Sequence, residues 1–224
     1  MESAPISSDP VSSVRRDLAA AFRLAARRGA WQGQARWTWS VQQGRFRSEL
    51  QVDAPQALNW VSTGSLDEHG VAPERFLSQP SRGGARAVNF QRDTGLVSYS
   101  GPTGQVALLP GAQDRLSWLV QLLALVQGHP EGAPVPSRWP IWVAGPQGDG
   151  ADWWFELTVT PTAQGPCWHL RRRAEQRYEV QVQAWVLGAS PARLAHLVMG
   201  AAGGRQAPWE LWDPTLGPLC GPSP

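Results

Sequence analysis

From Gln34 the chain alternates apolar and polar residues. In QARWTWSV, Ala35, Trp37, Trp39 and Val41 share one face, and in RFRSELQV, Phe46, Ser48, Leu50 and Val52 alternate with Arg45, Arg47, Glu49 and Gln51. A period of two predicts strands with one apolar and one wet face, and the intervening QQG makes these two a hairpin. The same reading predicts strands at Leu58–Asp67, around Val88 and Phe90, around Val97 and Tyr99, at Trp139–Gly145, Asp152–Pro161 and Arg177–Leu187, and a last one at Pro208–Asp213. CWHLRRR reads as a further strand, Ala192–Gly200 as a strand or a short helix, and Val71–Gln79 as a proline-containing stretch.

Two segments break this period. Val14–Gly29 places Leu18, Phe22, Ala25 and Ala26 at helical spacing with Gly29 as a stop, and predicts a surface helix with a basic face. Gly111–Gly128 is the most continuously apolar stretch. Its core, Leu116–Val126, has eleven residues interrupted by Ser117 and Gln121, too short for a bilayer core that needs about 20. Leu116, Leu119, Leu123 and Val126 form a stripe that Val120 and Leu122 widen. Such a helix needs cover on nearly every side. The expected architecture is mainly β with helices: a single strongly curved antiparallel sheet, half-barrel-like, wrapped around a central helix near 112–127. One domain spans 13–213, residues 1–12 read as a disordered segment without a secretory signal, and 214–224 as a flexible Gly/Pro tail.

Composition adds thirteen Trp, 23 Gly and 20 Pro in 224 residues. Indoles can fill a sheet core or line a cavity. Trp37, Trp39, Trp153 and Phe155 are the aromatic partners expected around the helix, with Trp118 and Leu119 on the helix itself. Every basic residue is arginine, and the net charge of only +2 is weak evidence for a polyanionic partner, so no specific nucleic-acid partner is expected. Cys167 and Cys220 show no zinc or CxxC spacing, and unpaired thiols are the default reading. No HExxH, GxSxG, Walker or dinucleotide motif occurs, so no metal, cofactor or catalytic residue is assigned. His169 beside Cys167 reads as an ordinary strand residue rather than half of a nucleophile pair.

Asp114 and Arg115 are the most pointed polar pair. Asp114 can favour the helix N-terminus while Arg115 reaches a loop carboxylate; alternatively both line a cavity mouth and meet a charged headgroup. Glu74 and Arg75 read as a loop brace or a partner contact. Arg172, in the run Arg171–Arg173, reads as a rim residue.

The order of segments resembles the DUF3108 family of bacterial proteins. Gly64, Gly70, Val71, Pro73 and Phe76 fit its first motif, and Pro110, Gly111, Ala112, Gln113, Asp114, Arg115, Leu116 and Ser117 its second. WVAG, WWFELTV, LRR and EVQVQAWVLGASPARL fit later strands, although Pro191 and Arg193 depart from the family's ending. The resemblance implies a periplasmic or envelope location and a fold like that of the lipoprotein carriers LolA and LolB. The function expected is a non-enzymatic, monomeric envelope protein that binds or shields a hydrophobic or amphipathic molecule, such as a lipid or a lipoprotein acyl chain. The alternative is a solid-core structural or interaction module whose partner is another envelope protein.

Overall fold

The computed structural model describes residues 20–54, 57–81, 83–101, 104–177, 179–188, 191–216 and 219–222. The segment 1–12 and Tyr178 lie outside them. In chain order the strands are β1 (Ala20–Arg28), β2 (Trp31–Gln42), β3 (Arg45–Val52), β4 (Leu58–Asp67), β5 (Gly70–Ser78), β6 (Arg86–Gln91), β7 (Leu96–Tyr99), β8 (Gln105–Ala107) and β9 (Gln113–Asp114). Helix α1 (Ser117–Gly128) follows. Then come β10 (Arg138–Ala144), β11 (Gly150–Thr162), β12 (Gly165–Arg172), β13 (Val180–Leu187), β14 (Arg193–Ala201) and β15 (Trp209–Trp212).

All fifteen strands belong to one sheet, ordered β8-β7-β6-β5-β4-β3-β2-β1-β15-β14-β13-β12-β11-β10-β9. This corrects the expectation of a strongly curved antiparallel half-barrel. The sheet is open, with β8 and β9 as its two unpaired edges, and it is neither closed nor strongly curled. It is also mixed, because β9 pairs in parallel with β10 through Gln113↔Val143 and Asp114↔Ala144. A two-residue strand offers too little backbone to seal an edge. Its side chains, rather than its main chain, reach the other half of the sheet.

The N-terminal helix is a second correction: within the described residues that segment is β1. Phe22, Leu24 and Ala26 also alternate, and Leu24 and Ala26 are buried. β1 finds a full-length antiparallel partner in β2, from Ala20↔Trp39 to Arg28↔Trp31, and a second partner in β15. Two ladders of main-chain hydrogen bonds override the modest helix preference of an Ala/Arg-rich run.

α1 is a core helix, with Ser117 through Ala124 and Val126 all buried. Its N-terminal boundary falls later than the pattern suggested because Gln113 and Asp114 serve the sheet. Gln121, one of its two buried polar residues with Ser117, accepts from the Val71 N–H at 3.0 Å and donates to the His69 carbonyl at 2.9 Å. Gln113 donates to the Val71 carbonyl at 2.6 Å. β6 pairs only with Arg75–Ser78, so two glutamines act as a substitute strand for Val71. Without them its main-chain groups would be buried unpaired.

The cysteines are joined, which corrects the thiol reading: Cys167 and Cys220 form a disulfide with Cα atoms 5.5 Å apart. The chain after Asp213, expected to be a flexible tail, is anchored by this bond. Leu216 and Cys220 pack with Cys167, Leu187 and Ala195 in a second small core.

Two outcomes test this arrangement. Leu119 is 3% exposed, so Leu119→Asp buries an unpaired carboxylate costing several kcal/mol, against a total stability of about 5–15 kcal/mol. Loss of the cooperative melt is expected; a wild-type melt would remove α1 from the core. Cys220→Ser opens a closed loop spanning 53 residues of sequence separation and should lower stability by about 2–4 kcal/mol, read as a shift in the denaturant midpoint.

Candidate functional site

The N-terminal end of α1 collects several of the polar residues singled out in the sequence. Asp114 is completely buried. Its Oδ1 accepts from the N–H groups of Leu116 at 2.7 Å and Ser117 at 2.8 Å, and its Oδ2 accepts from Ser62 Oγ at 2.5 Å. Ser117 Oγ accepts from the Asp114 N–H in return, at 2.9 Å. This is a reciprocal cap set just ahead of the helix, satisfying N–H groups that a helix start leaves without partners. Burial pushes the Asp114 carboxyl up to about 6, and these hydrogen bonds oppose the rise without cancelling it.

Arg115 turns the other way and pairs with Asp149 on the β10–β11 turn. Its guanidinium carbon lies 4.9 Å from the Trp153 ring, and that of Arg172 lies at the same distance. Arg172 donates to the Val180 carbonyl and, at 3.2 Å, to Glu179. Burial depresses both guanidiniums, while Asp149 and Glu179 pull them back up. Trp118 lies against Trp153 at 5.5 Å and stacks on Phe155 at 5.6 Å. The structure thus unites Arg115, Arg172, Trp118, Trp153 and Phe155 in one aromatic and cationic cluster.

The remaining sequence candidates lie apart from that cluster. Trp37 stacks on Phe22 and donates to Ser48 Oγ at 3.0 Å, and Trp39 stacks on Phe46 at 5.0 Å. Leu119 is packed in the core. On β5, Glu74 braces Arg45 of β3, whereas Arg75 is exposed. Trp37, Trp39, Trp118, Leu119, Trp153, Phe155, Asp114 and Arg115 are absent from the linings of the described cavities; Arg172 alone borders one, a polar cleft of about 230 Å³. Cys167 is held in the disulfide, and neighbouring His169 stacks on Trp185 at 4.4 Å. Among the described residues no group of His, Cys, Asp and Glu is placed to hold a metal ion, and no helix is long and apolar enough to cross a membrane.

The largest of the described cavities, about 490 Å³, lies at the opposite end of α1. Val126, Val135, Val159 and Trp168 give it apolar walls, and Gln127, His129 and Glu131 stand at its polar edge. His129 packs edge-on to Trp168 at 5.0 Å, and Trp168 stacks on Trp139 at 5.5 Å. Val135 is 41% exposed. Sequence reasoning passed over these residues because the end of the helix with the loop after it and two later paired strands build the walls together. The only local signal is an isolated valine in the Pro/Gly-rich run HPEGAPVP after the helix.

The fold belongs to the open, mainly β class with one buried helix. No family model and no curated protein matches the chain. Among solved structures it is similar to the beta-barrel-like protein of domain of unknown function DUF1849 from Brucella abortus. The TM-score is 0.50 at 8% sequence identity, covering 86% of this chain and 93% of that one. This likeness concerns the fold alone, and with the absent family match it overturns the resemblance to DUF3108. The residues that carried that resemblance answer local demands. A Cβ on Gly64 would lie 2.2 Å from the Ala72 carbonyl oxygen at a bulge between β4 and β5, and Gly70 has φ +108° directly against Gln121. Asp114 and Ser117 form the cap.

The raised Asp114 carboxyl fixes the sign of a pH effect. The folded state holds its proton more tightly than the unfolded chain, so the contribution of this group to stability is complete below about pH 4 and is lost as pH rises through about 6. At about 1.4 kcal/mol per tenfold change in proton affinity, the loss is roughly 3 kcal/mol. Asp114→Asn should remove it. Unfolding free energies from urea titrations at pH 4 and pH 7 should differ less in the variant than in the wild type by about that amount; an unchanged difference would contradict the assignment.

Proposed function

We propose that this is a non-enzymatic protein of the cell envelope that binds a hydrophobic or amphipathic molecule at the cavity beyond the C-terminal end of α1. The observation that carries this reading is the cavity itself. Its volume of about 490 Å³ falls in the range of small-molecule sites, and its apolar walls with a few polar groups at the edge match their chemistry. The aromatic residues at the N-terminal end of α1 favour this location over the core, because Trp118 of the helix and Trp153 and Phe155 of β11 fill one another's space. The non-enzymatic part rests on how the buried polar groups are employed. Gln113, Asp114 and Gln121 hydrogen-bond main-chain groups, and Arg115 and Arg172 pair with carboxylates, while Gln113 Oε1 and Arg115 Nη1 are buried without a partner. The Cys167–Cys220 disulfide supports an oxidising compartment such as the periplasm.

A second reading, an interaction module for another envelope protein, is favoured by one observation. Trp154 is 50% exposed on β11, opposite Pro140 of β10, most of whose outer edge β9 leaves unpaired. Large exposed aromatics and free strand edges are features of protein-binding surfaces.

Native mass spectrometry with dodecyl maltoside below its micelle concentration separates the two. One equivalent should be taken up, and Val135→Asp should weaken uptake at least tenfold without moving the thermal midpoint. Absence of uptake, or uptake indifferent to Val135, would discard the cavity and leave the Trp154 surface.

A further inference from the structure

We infer that the cavity at the end of α1 selects an amphipath whose head is cationic: an alkyl chain ending in an ammonium group. This rests on the reading of the cavity as the binding site and adds the charge of its ligand.

Three observations support the sign. α1 points its C-terminus at the cavity, since Val126 and Gln127 of its last turn are among the lining residues. A helix of this length concentrates about half a negative elementary charge on its terminal carbonyls. Its last turn holds no basic side chain to neutralise that charge. Glu131, next in the chain, stands at the same edge of the cavity, exposed and without an ion-pair partner among the described residues. Finally, no described residue lining this cavity is a lysine or an arginine. His129 directs its Nε2 to the Ala133 carbonyl at 3.3 Å. The valines and Trp168 would take the alkyl chain, while the ammonium group would sit between Glu131 and the helix-end carbonyls.

This local polarity opposes that of the whole chain. The net charge is +2, so general electrostatics favour an anionic amphipath. A preference for the cation must therefore come from the site. It also separates this mouth from the arginine cluster at the other end of α1, where Arg115 and Arg172 are already held by carboxylates.

The test compares dodecylamine with dodecanoate, the same chain with opposite charge, by isothermal titration below their micelle concentrations at low salt. Dodecylamine should bind at least tenfold more tightly. Glu131→Gln, a substitution at an exposed position, should narrow the gap several-fold. Equal affinities, a preference for dodecanoate, or a gap indifferent to Glu131 would overturn the charge inference while leaving the binding reading intact. Loss of binding for dodecylamine, dodecanoate and dodecyl maltoside would overturn both. Vesicles of phosphatidylethanolamine identify the source of the head: extraction of lipid supports an aminolipid, whereas uptake of soluble dodecylamine alone supports a free amine.

Discussion

The structure depends on a fully buried carboxyl group. Asp114 ends the two-residue strand β9, caps the helix that follows, and receives the hydroxyl of Ser62 from β4. Through it three elements made at different times in the chain are fixed relative to one another. Desolvating a carboxylate is unfavourable, and hydrogen bonds from two main-chain N–H groups and a hydroxyl offset part of that penalty. The result is a helix start that can lie inside the protein, where no solvent could satisfy its N–H groups. Gln113 and Gln121 complete the junction by serving the main chain around Val71. An apolar helix can pack its N-terminal end against this sheet because Gln113, Asp114 and Gln121 meet main-chain groups buried at the junction.

The parts of this fold that were legible in the sequence are those governed by local period. The hairpin of β2 and β3, the long β11 and the strand β13 all show the alternation of a sheet with one buried face. The apolar run after Arg115 showed its length and its need for cover. β1 was not legible, because Ala and Arg fit either period and its assignment comes from β2 and β15. The openness of the sheet was hidden too: it follows from which edges lack partners, a global property that no strand carries. The pairing of Cys167 with Cys220 depends on the path taken by the chain after Asp213. Of the candidate site, Arg115, Arg172 and Trp153 were named separately, and only the fold brings them together. The walls of the cavity at the other end of α1 come from the helix, the loop after it, and two later strands, so no window of sequence displays them.

The two ends of α1 are chemically unlike. At the N-terminal end carboxylates pair with Arg115 and Arg172, both guanidiniums lie against the Trp153 ring, and Asp114 binds two main-chain N–H groups. Such a region contributes order and leaves little capacity for a ligand. At the C-terminal end the walls are apolar and the carbonyls have no cationic neighbour in the last turn. The likeness to the DUF1849 protein concerns the arrangement of strands, and at such low identity it transfers no chemistry. Function here has to be argued from the unmatched end of the helix.

The placement of β1 bears on how the molecule is made. The first strand of the sheet lies near its middle, and one of its two neighbours is the last strand, with Ala25 opposite Trp212. A chain emerging from its N-terminus can form the meander from β1 to β8 early, yet the outer side of β1 stays bare until β15 arrives. The contacts that join the two halves are separated by nearly the whole sequence, a topology associated with slow folding. An exposed, half-paired strand is a template for pairing with other chains. This architecture therefore places its greatest risk of misassembly during synthesis, and truncation at the C-terminus would make that transient hazard permanent.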